Sequence, residues 1–115
     1  MAEFLQTRTT FEIKGRTLLI HLKEDLDHHN AVYIRETADR FMEKHPIQNV
    51  VFDFSGVEFM DSSGIGVVMG RYKQVNYVGG KVKVAGIGKN VDRIFQMSGL
   101  YKLVERFGTA EEAMQ

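Results

Sequence analysis

The run Ile47-Gln48-Asn49-Val50-Val51-Phe52-Asp53-Phe54 constrains the fold more than any other stretch. It is mostly apolar and too short to be a helix with its own core face. A strand of this composition has no polar side to give to water, so it belongs near the centre of a sheet covered on both faces. Helix-period segments flank it. Upstream, Ala31, Ile34, Ala38, Phe41 and Met42 recur with helical spacing, while Arg35, Glu36, Asp39, Arg40 and Glu43 take the wetter positions. His45-Pro46 stops that helix, because proline lacks the amide proton and restricts the residue before it. Downstream, a helix is expected to start at Ser62 or Ser63 and continue to about Val75. Its inward side would carry Ile65, Val68, Met69, Tyr72 and Val75. Strand and helix alternating in this way make βαβ crossovers.

The remaining segments extend the pattern. Residues 4–11 read as an edge strand, Lys14-Gly15-Arg16 as a turn, and residues 17–22 as the second arm of a hairpin. Residues 23–30 are too polar for a strand interior and read as a loop ending in a helix cap. Tyr77-Val78-Gly79-Gly80 turns the chain into residues 81–85, which alternate like a half-buried strand. Residues 89–97 form a short helix with Val91, Ile94, Phe95 and Ser98 on one side, and Gly99 is its stop signal. Residues 100–107 hold a last short strand, and Thr109-Ala110-Glu111-Glu112 caps a helical tail. The expectation is a single α/β domain over residues 1–115: a mixed β-sheet of about five strands packed with about four α-helices.

Composition narrows the function. Fifteen basic and fifteen acidic residues cancel, so charge favours neither nucleic acid nor an anionic membrane as a direct partner. Cysteine is absent, which removes disulfide, thiol and cysteine–metal chemistry. The first residues lack the basic and apolar regions of a signal peptide. No stretch reaches the roughly 18 apolar residues of a membrane span, and a cytoplasmic protein is expected. No phosphate-binding loop, dinucleotide fingerprint, zinc-protease helix or calcium loop occurs, so no cofactor is expected. His28-His29 are adjacent, diverge in direction and lack a matching cluster, which argues against a metal site. His21 lies in a strand, and His45 sits at a helix end where it can meet the helix dipole.

The join Glu58-Phe59-Met60-Asp61-Ser62-Ser63-Gly64-Ile65-Gly66 is the place where chemistry concentrates. Asp61 and the serines can cap the helix that begins there; the same placement can present a hydroxyl at an exposed helix tip. Gly64, Gly66 and Gly70 each weaken a helix interior by roughly 0.8–1 kcal/mol. Either close packing against the sheet or a tip kept open to a partner would offset that. No histidine-centred triad or nucleophile elbow accompanies the serines, so acyl transfer is not expected. Asp53 near a strand end admits an aspartyl-phosphate receiver as an enzyme-class alternative, although the acidic magnesium pair and five βα units are missing. A serine can instead be another protein's substrate. Phosphate on Ser62 would add about −1.5 to −2 charge units, tolerated by free helix amides but opposed by Asp25, Asp27 and Asp61.

Phe59-Met60-Asp61-Ser62-Ser63-Gly64-Ile65-Gly66-Val67 resembles the phosphorylation-site segment of STAS domains, specifically the bacterial anti-sigma factor antagonists. The resemblance is strongest to those of the sporulation sigma-F pathway. Leu26-Asp27-His28-His29, Gly70-Arg71-Tyr72-Lys73-Gln74, Gly79-Gly80, Met97-Ser98-Gly99-Leu100 and the spacing of Thr109 and Ala113 extend it along nearly the whole chain. It implies a non-enzymatic partner switch. The unphosphorylated protein would bind an anti-sigma factor that is also an ATP-dependent serine kinase, freeing a sigma factor. Phosphorylation of Ser62 would release it, and a serine phosphatase would reset it. The partner-binding residues would be Asp25, Asp27, Asp61, Ser62, Ser63 and Ile65. The alternative within the same family is a scaffold or nucleotide-sensing module in which Ser62 is only a cap. Glu24-Asp25-Leu26-Asp27 departs from the family's Gly-Glu-Leu-Asp, losing a glycine and adding charge.

Overall fold

A computed structural model describes residues 8–115. The elements are β1 (Thr10–Lys14), β2 (Thr17–His21), α1 (His28–Lys44), β3 (Asn49–Asp53), α2 (Ser62–Tyr77), β4 (Val82–Ala85), α3 (Lys89–Ser98), a 3-10 turn (Leu100–Lys102), β5 (Glu105–Phe107) and α4 (Ala110–Ala113). One five-stranded sheet has the order β1-β2-β3-β4-β5, in which β1 is antiparallel to β2 and every later pair is parallel. The expected mixed sheet with four helices is therefore present.

The topology decides where the helices go. Three successive parallel crossovers step in one direction across the sheet. Because such crossovers share a hand, α1, α2 and α3 fall on one face. Leu18, Ile20, Val50, Phe52, Val82 and Val84 point to that face and meet Ile34, Ala38, Val68, Val75, Val91 and Phe95. The alternate positions Leu19, Val51 and Ala85 point the other way and are covered by Ala110 and Ala113 of α4. Both faces of β3 are thus buried, the placement its composition predicts.

Several boundaries differ from those read in the sequence. Among the described residues the first strand runs from Thr10 to Lys14; residues 4–7 of the strand expected over 4–11 lie outside the described residues. Thr10 to Lys14 alternate exposed and half-buried, which suits an edge strand. α1 begins at His28, three residues earlier than apolar periodicity suggests, because the Asp27 side chain takes the His29 and Asn30 amides and Asn30 reciprocates in a capping box. The short strand expected within residues 100–107 is β5, confined to their last three residues. Gly99, at φ 79°, ends α3, and a 3-10 turn buries Leu100 before β5 starts at Glu105. On α2 the buried set is Gly64, Val67, Val68, Arg71 and Val75; Ile65, Met69 and Tyr72 are only partly buried against the core. Arg71 faces inward although it is charged. Gln74 accepts from its Nε at 2.7 Å and Asp39 on α1 lies 3.5 Å from an Nη, so the charge enters the helix interface with partners.

Candidate functional site

At the ends of the parallel strands, the chain leaving β2 and the chain leaving β3 run side by side before each enters its helix. Leu26 and Met60 form a parallel bridge. The Leu26 amide donates to the Phe59 carbonyl at 3.1 Å, and the Asp61 amide to the Leu26 carbonyl at 3.2 Å. Both side chains are fully buried, and they roof Gly64, where an added Cβ would lie 3.0 Å from Leu26 Cγ and from Met60 Sδ. Close packing therefore explains Gly64. The N-termini of α1 and α2 emerge next to one another.

Three carboxylates hold this arrangement. Asp25 Oδ1 accepts the main-chain N–H groups of Glu58 and Phe59, each at 3.1 Å, across 33 and 34 residues of sequence. Asp27 caps α1 through the His29 amide at 3.0 Å, with Asn30 Oδ1 accepting the Asp27 amide at 3.2 Å. Asp61 caps α2 through the Ser63 amide at 2.8 Å. Its other oxygen accepts the His28 main-chain N–H at 3.3 Å and stands 3.7 Å from His28 Nδ1. Burial works against the Asp61 charge, but hydrogen bonds from Ser63 and His28 and the His28 charge outweigh it, leaving the carboxyl below the usual range.

Asp61, not either serine, is thus the cap. Ser62 is the first residue of α2, exposed to solvent, and its hydroxyl has no hydrogen-bond partner among the described residues. Ser63 is half-buried, and Ile65 is half-buried against the core one turn along. Gly66 and Gly70 meet nothing within 4 Å of a built Cβ, so packing does not explain them as it does Gly64. Between the helices runs a groove of about 330 Å³ lined by His28, Ala31, Val32, Arg35, Ser63, Gly66 and Val67. Phe59, half exposed, stands beside the tip in sequence. In the sequence His28 stands out only as half of a histidine pair and, like Phe59, as part of a family motif; its contact with Asp61 exists only because the two loops pair.

Asp53 lies elsewhere in the network. It alternates with Val51 on the α4 side of the sheet, where Oδ1 accepts the Ser55 amide at 3.0 Å and Oδ2 is 3.0 Å from His21 Nδ1. His21 Nε2 is 3.3 Å from Glu12, so the histidine links β1, β2 and β3. Burial would raise the Asp53 pKa; the Ser55 and His21 interactions lower it further than that. At the end of α1, the His45 ring stacks on Phe41 with centroids 6.1 Å apart. Among the described residues, no three His, Asp or Glu side chains are grouped to hold a metal, and no helix is long and apolar enough to cross a membrane.

A match to the STAS domain model covers residues 8–113. An anti-sigma F factor antagonist of Paenibacillus polymyxa is 34% identical over 97 residues, covering 84% of this chain and 83% of that protein. Two solved structures share the fold. The anti-sigma factor antagonist SpoIIAA in its unphosphorylated form is 26% identical with a TM-score of 0.75, over 92% of this chain and 93% of that one. The Bacillus cell fate determinant SpoIIAA in the phosphorylated form is 31% identical with a TM-score of 0.74, over 92% and 96%. With the paired loops, the capped helix tip and the sheet order all in place, the chain belongs to the STAS domain family, among the anti-sigma factor antagonists.

Proposed function

We propose that this protein is the switchable antagonist in an anti-sigma circuit, acting by binding rather than by catalysis. Unphosphorylated, it docks the paired tips of α1 and α2 on an anti-sigma factor, and a sigma factor is set free. The anti-sigma factor is also the kinase. The Ser62 oxygen forms a bond to the γ-phosphorus of ATP, the bond to the β-phosphate oxygen breaks, ADP leaves, and the hydroxyl proton passes to a base on the kinase. A serine phosphatase reverses the modification. The names of two relatives, both anti-sigma F factor antagonists, support a sigma-F circuit; its place in sporulation and in the cytoplasm is part of the proposal. Asp25, Asp27, Asp61, Ser63 and Ile65 form the surface around Ser62, with the first three acting mainly by shaping it.

One observation carries the proposal: a serine hydroxyl that is exposed and unpartnered at the first position of a helix whose cap is already filled by Asp61. Ser62 has no capping duty, so it is available as an acceptor. Among the described residues no base touches it, so the reactivity belongs to the partner. A phosphate there is compatible with the free helix amides, but it would put repulsion and a desolvation cost into an interface fitted to a hydroxyl.

The test uses the purified anti-sigma kinase, ATP and site mapping by mass spectrometry. Ser62 should carry the phosphate. Ser62→Ala should bind within about twofold of wild type yet resist labelling. Ser62→Asp should bind at least about tenfold more weakly, equivalent to roughly 1.4 kcal/mol. Label on Ser63 or Asp53, or equal affinity of all three proteins, would overturn the proposal.

A further inference from the structure

The phosphoacceptor reading leaves the second contact of the α2 cap unused. Asp61 Oδ2 takes the His28 main-chain N–H, and the His28 imidazole stands over the same oxygen at 3.7 Å. That imidazole is 71% exposed and lies against His29, with ring centroids 4.1 Å apart. His28 and Ser63 line the same groove. The imidazole therefore stands at Asp61, one of the two residues that flank Ser62 in the chain, and shares a groove with the other.

A phosphate on Ser62 would enter a neighbourhood of fixed negative charge. Asp25, Asp27 and Asp61 are each engaged by main-chain amides, so none can turn away without giving up a loop tie or a helix cap. Glu58 adds a further carboxylate in the adjoining loop. A dianion placed there needs a cation in reach. Arg35 lines the groove two turns along α1, close enough to Arg71 for their charges to repel, and His29 makes no contact with Asp61. His28 is already on the cap.

Resting on the assignment of Ser62 as phosphoacceptor, we propose that the His28 imidazolium is the counter-cation for phosphate on Ser62, bridging it to the Asp61 carboxylate. The modified domain then neutralises its own new charge, so phosphorylation leaves the helix tip folded and the cost appears only at the partner interface. His28 is in this sense a positioning residue for the phosphorylated state. Its charge favours the dianionic phosphate, whereas Asp25, Asp27, Asp61 and Glu58 oppose it and His29 and Arg35 add weaker support.

Phosphoserine installed at position 62 during translation makes the test independent of any kinase. Titrating the phosphorus NMR signal from about pH 5 to 8 brackets the second ionisation near 6. At low salt, the midpoint in His28→Gln should lie about half a pH unit above wild type, because a positive charge beside the phosphate has been removed. The glutamine variant keeps the main-chain N–H to Asp61, so the cap survives. The difference should shrink in about 1 M salt, and His29→Gln should leave the midpoint near wild type. Identical midpoints for wild type and His28→Gln, or an equal shift from His29→Gln, would overturn the assignment. Loss of this shift with Ser62 still labelled by the kinase defeats only the counter-cation; the shift without kinase labelling defeats only the switch.

Discussion

Asp25 illustrates how a residue's role depends on what its charge is already holding. On sequence alone it is one acidic side chain among several near a candidate serine. In the folded chain one of its oxygens gathers the Glu58 and Phe59 amides and ties the loop before α2 to the loop before α1. Its contribution to a partner surface is therefore conformational before it is electrostatic. Asp25→Ala should speed hydrogen exchange at the Glu58 and Phe59 amides and cost about 1 kcal/mol of stability, since both bonds are exposed. Asp25→Asn, which keeps a carbonyl acceptor, should recover most of the protection. If the alanine variant exchanges at the wild-type rate, the tie is not what orders the loop.

At the scale of an element, α2 shows two kinds of glycine in one helix. Gly64 is wedged under Leu26 and Met60, whereas Gly66 and Gly70 face open space. An alanine at an open helical site removes a propensity penalty of about 0.8–1 kcal/mol without meeting a neighbour. Gly66→Ala and Gly70→Ala should each raise the melting temperature by about 3–5 °C. Gly64→Ala should not, because its methyl must push the Leu26 and Met60 side chains aside. Thermal melts of the three variants decide this. A fall in partner affinity with Gly66→Ala, alongside higher stability, would assign the bare backbone to the docking face.

At the scale of the molecule, three carboxylates with lowered pKa values tie distant parts of the chain. Asp53 links the ends of β2 and β3 through His21, and Asp61 joins the two helix tips. Asp92 accepts from the Tyr101 hydroxyl and Arg106 Nη1, both at 2.7 Å, fastening α3 to β5. The Tyr101 hydrogen bond is the main cause of the Asp92 shift, opposed by partial burial and aided by the Arg106 charge. Burial and the bond to Asp92 in turn raise the Tyr101 pKa. A carboxylate whose folded pKa is depressed stabilises above its unfolded value, near 3.9, and loses that contribution as pH falls through the folded value. The urea midpoint should accordingly fall most steeply below about pH 4. Asp92→Asn should lower the midpoint near neutrality and flatten the acid limb. An unchanged acid limb would mean that other carboxylates carry the loss.

Local sequence settles the order of elements, the burial of β3 on both faces and a helix start at Ser62 or Ser63. These follow from local periodicity, proline and glycine punctuation and cap chemistry, all of which act within a few residues. The near-complete motif pattern also determined the family. Tertiary structure decided which acceptor fills which cap, that Asp25 serves a loop 33 residues away, that His28 sits on Asp61, and which glycines are packed. Each of these depends on two loops brought together by the parallel pairing of β2 with β3, and pairing across the sheet leaves no period in the chain to read. The sequence could mark Ser62; only the fold shows that Asp61 has freed it from the cap.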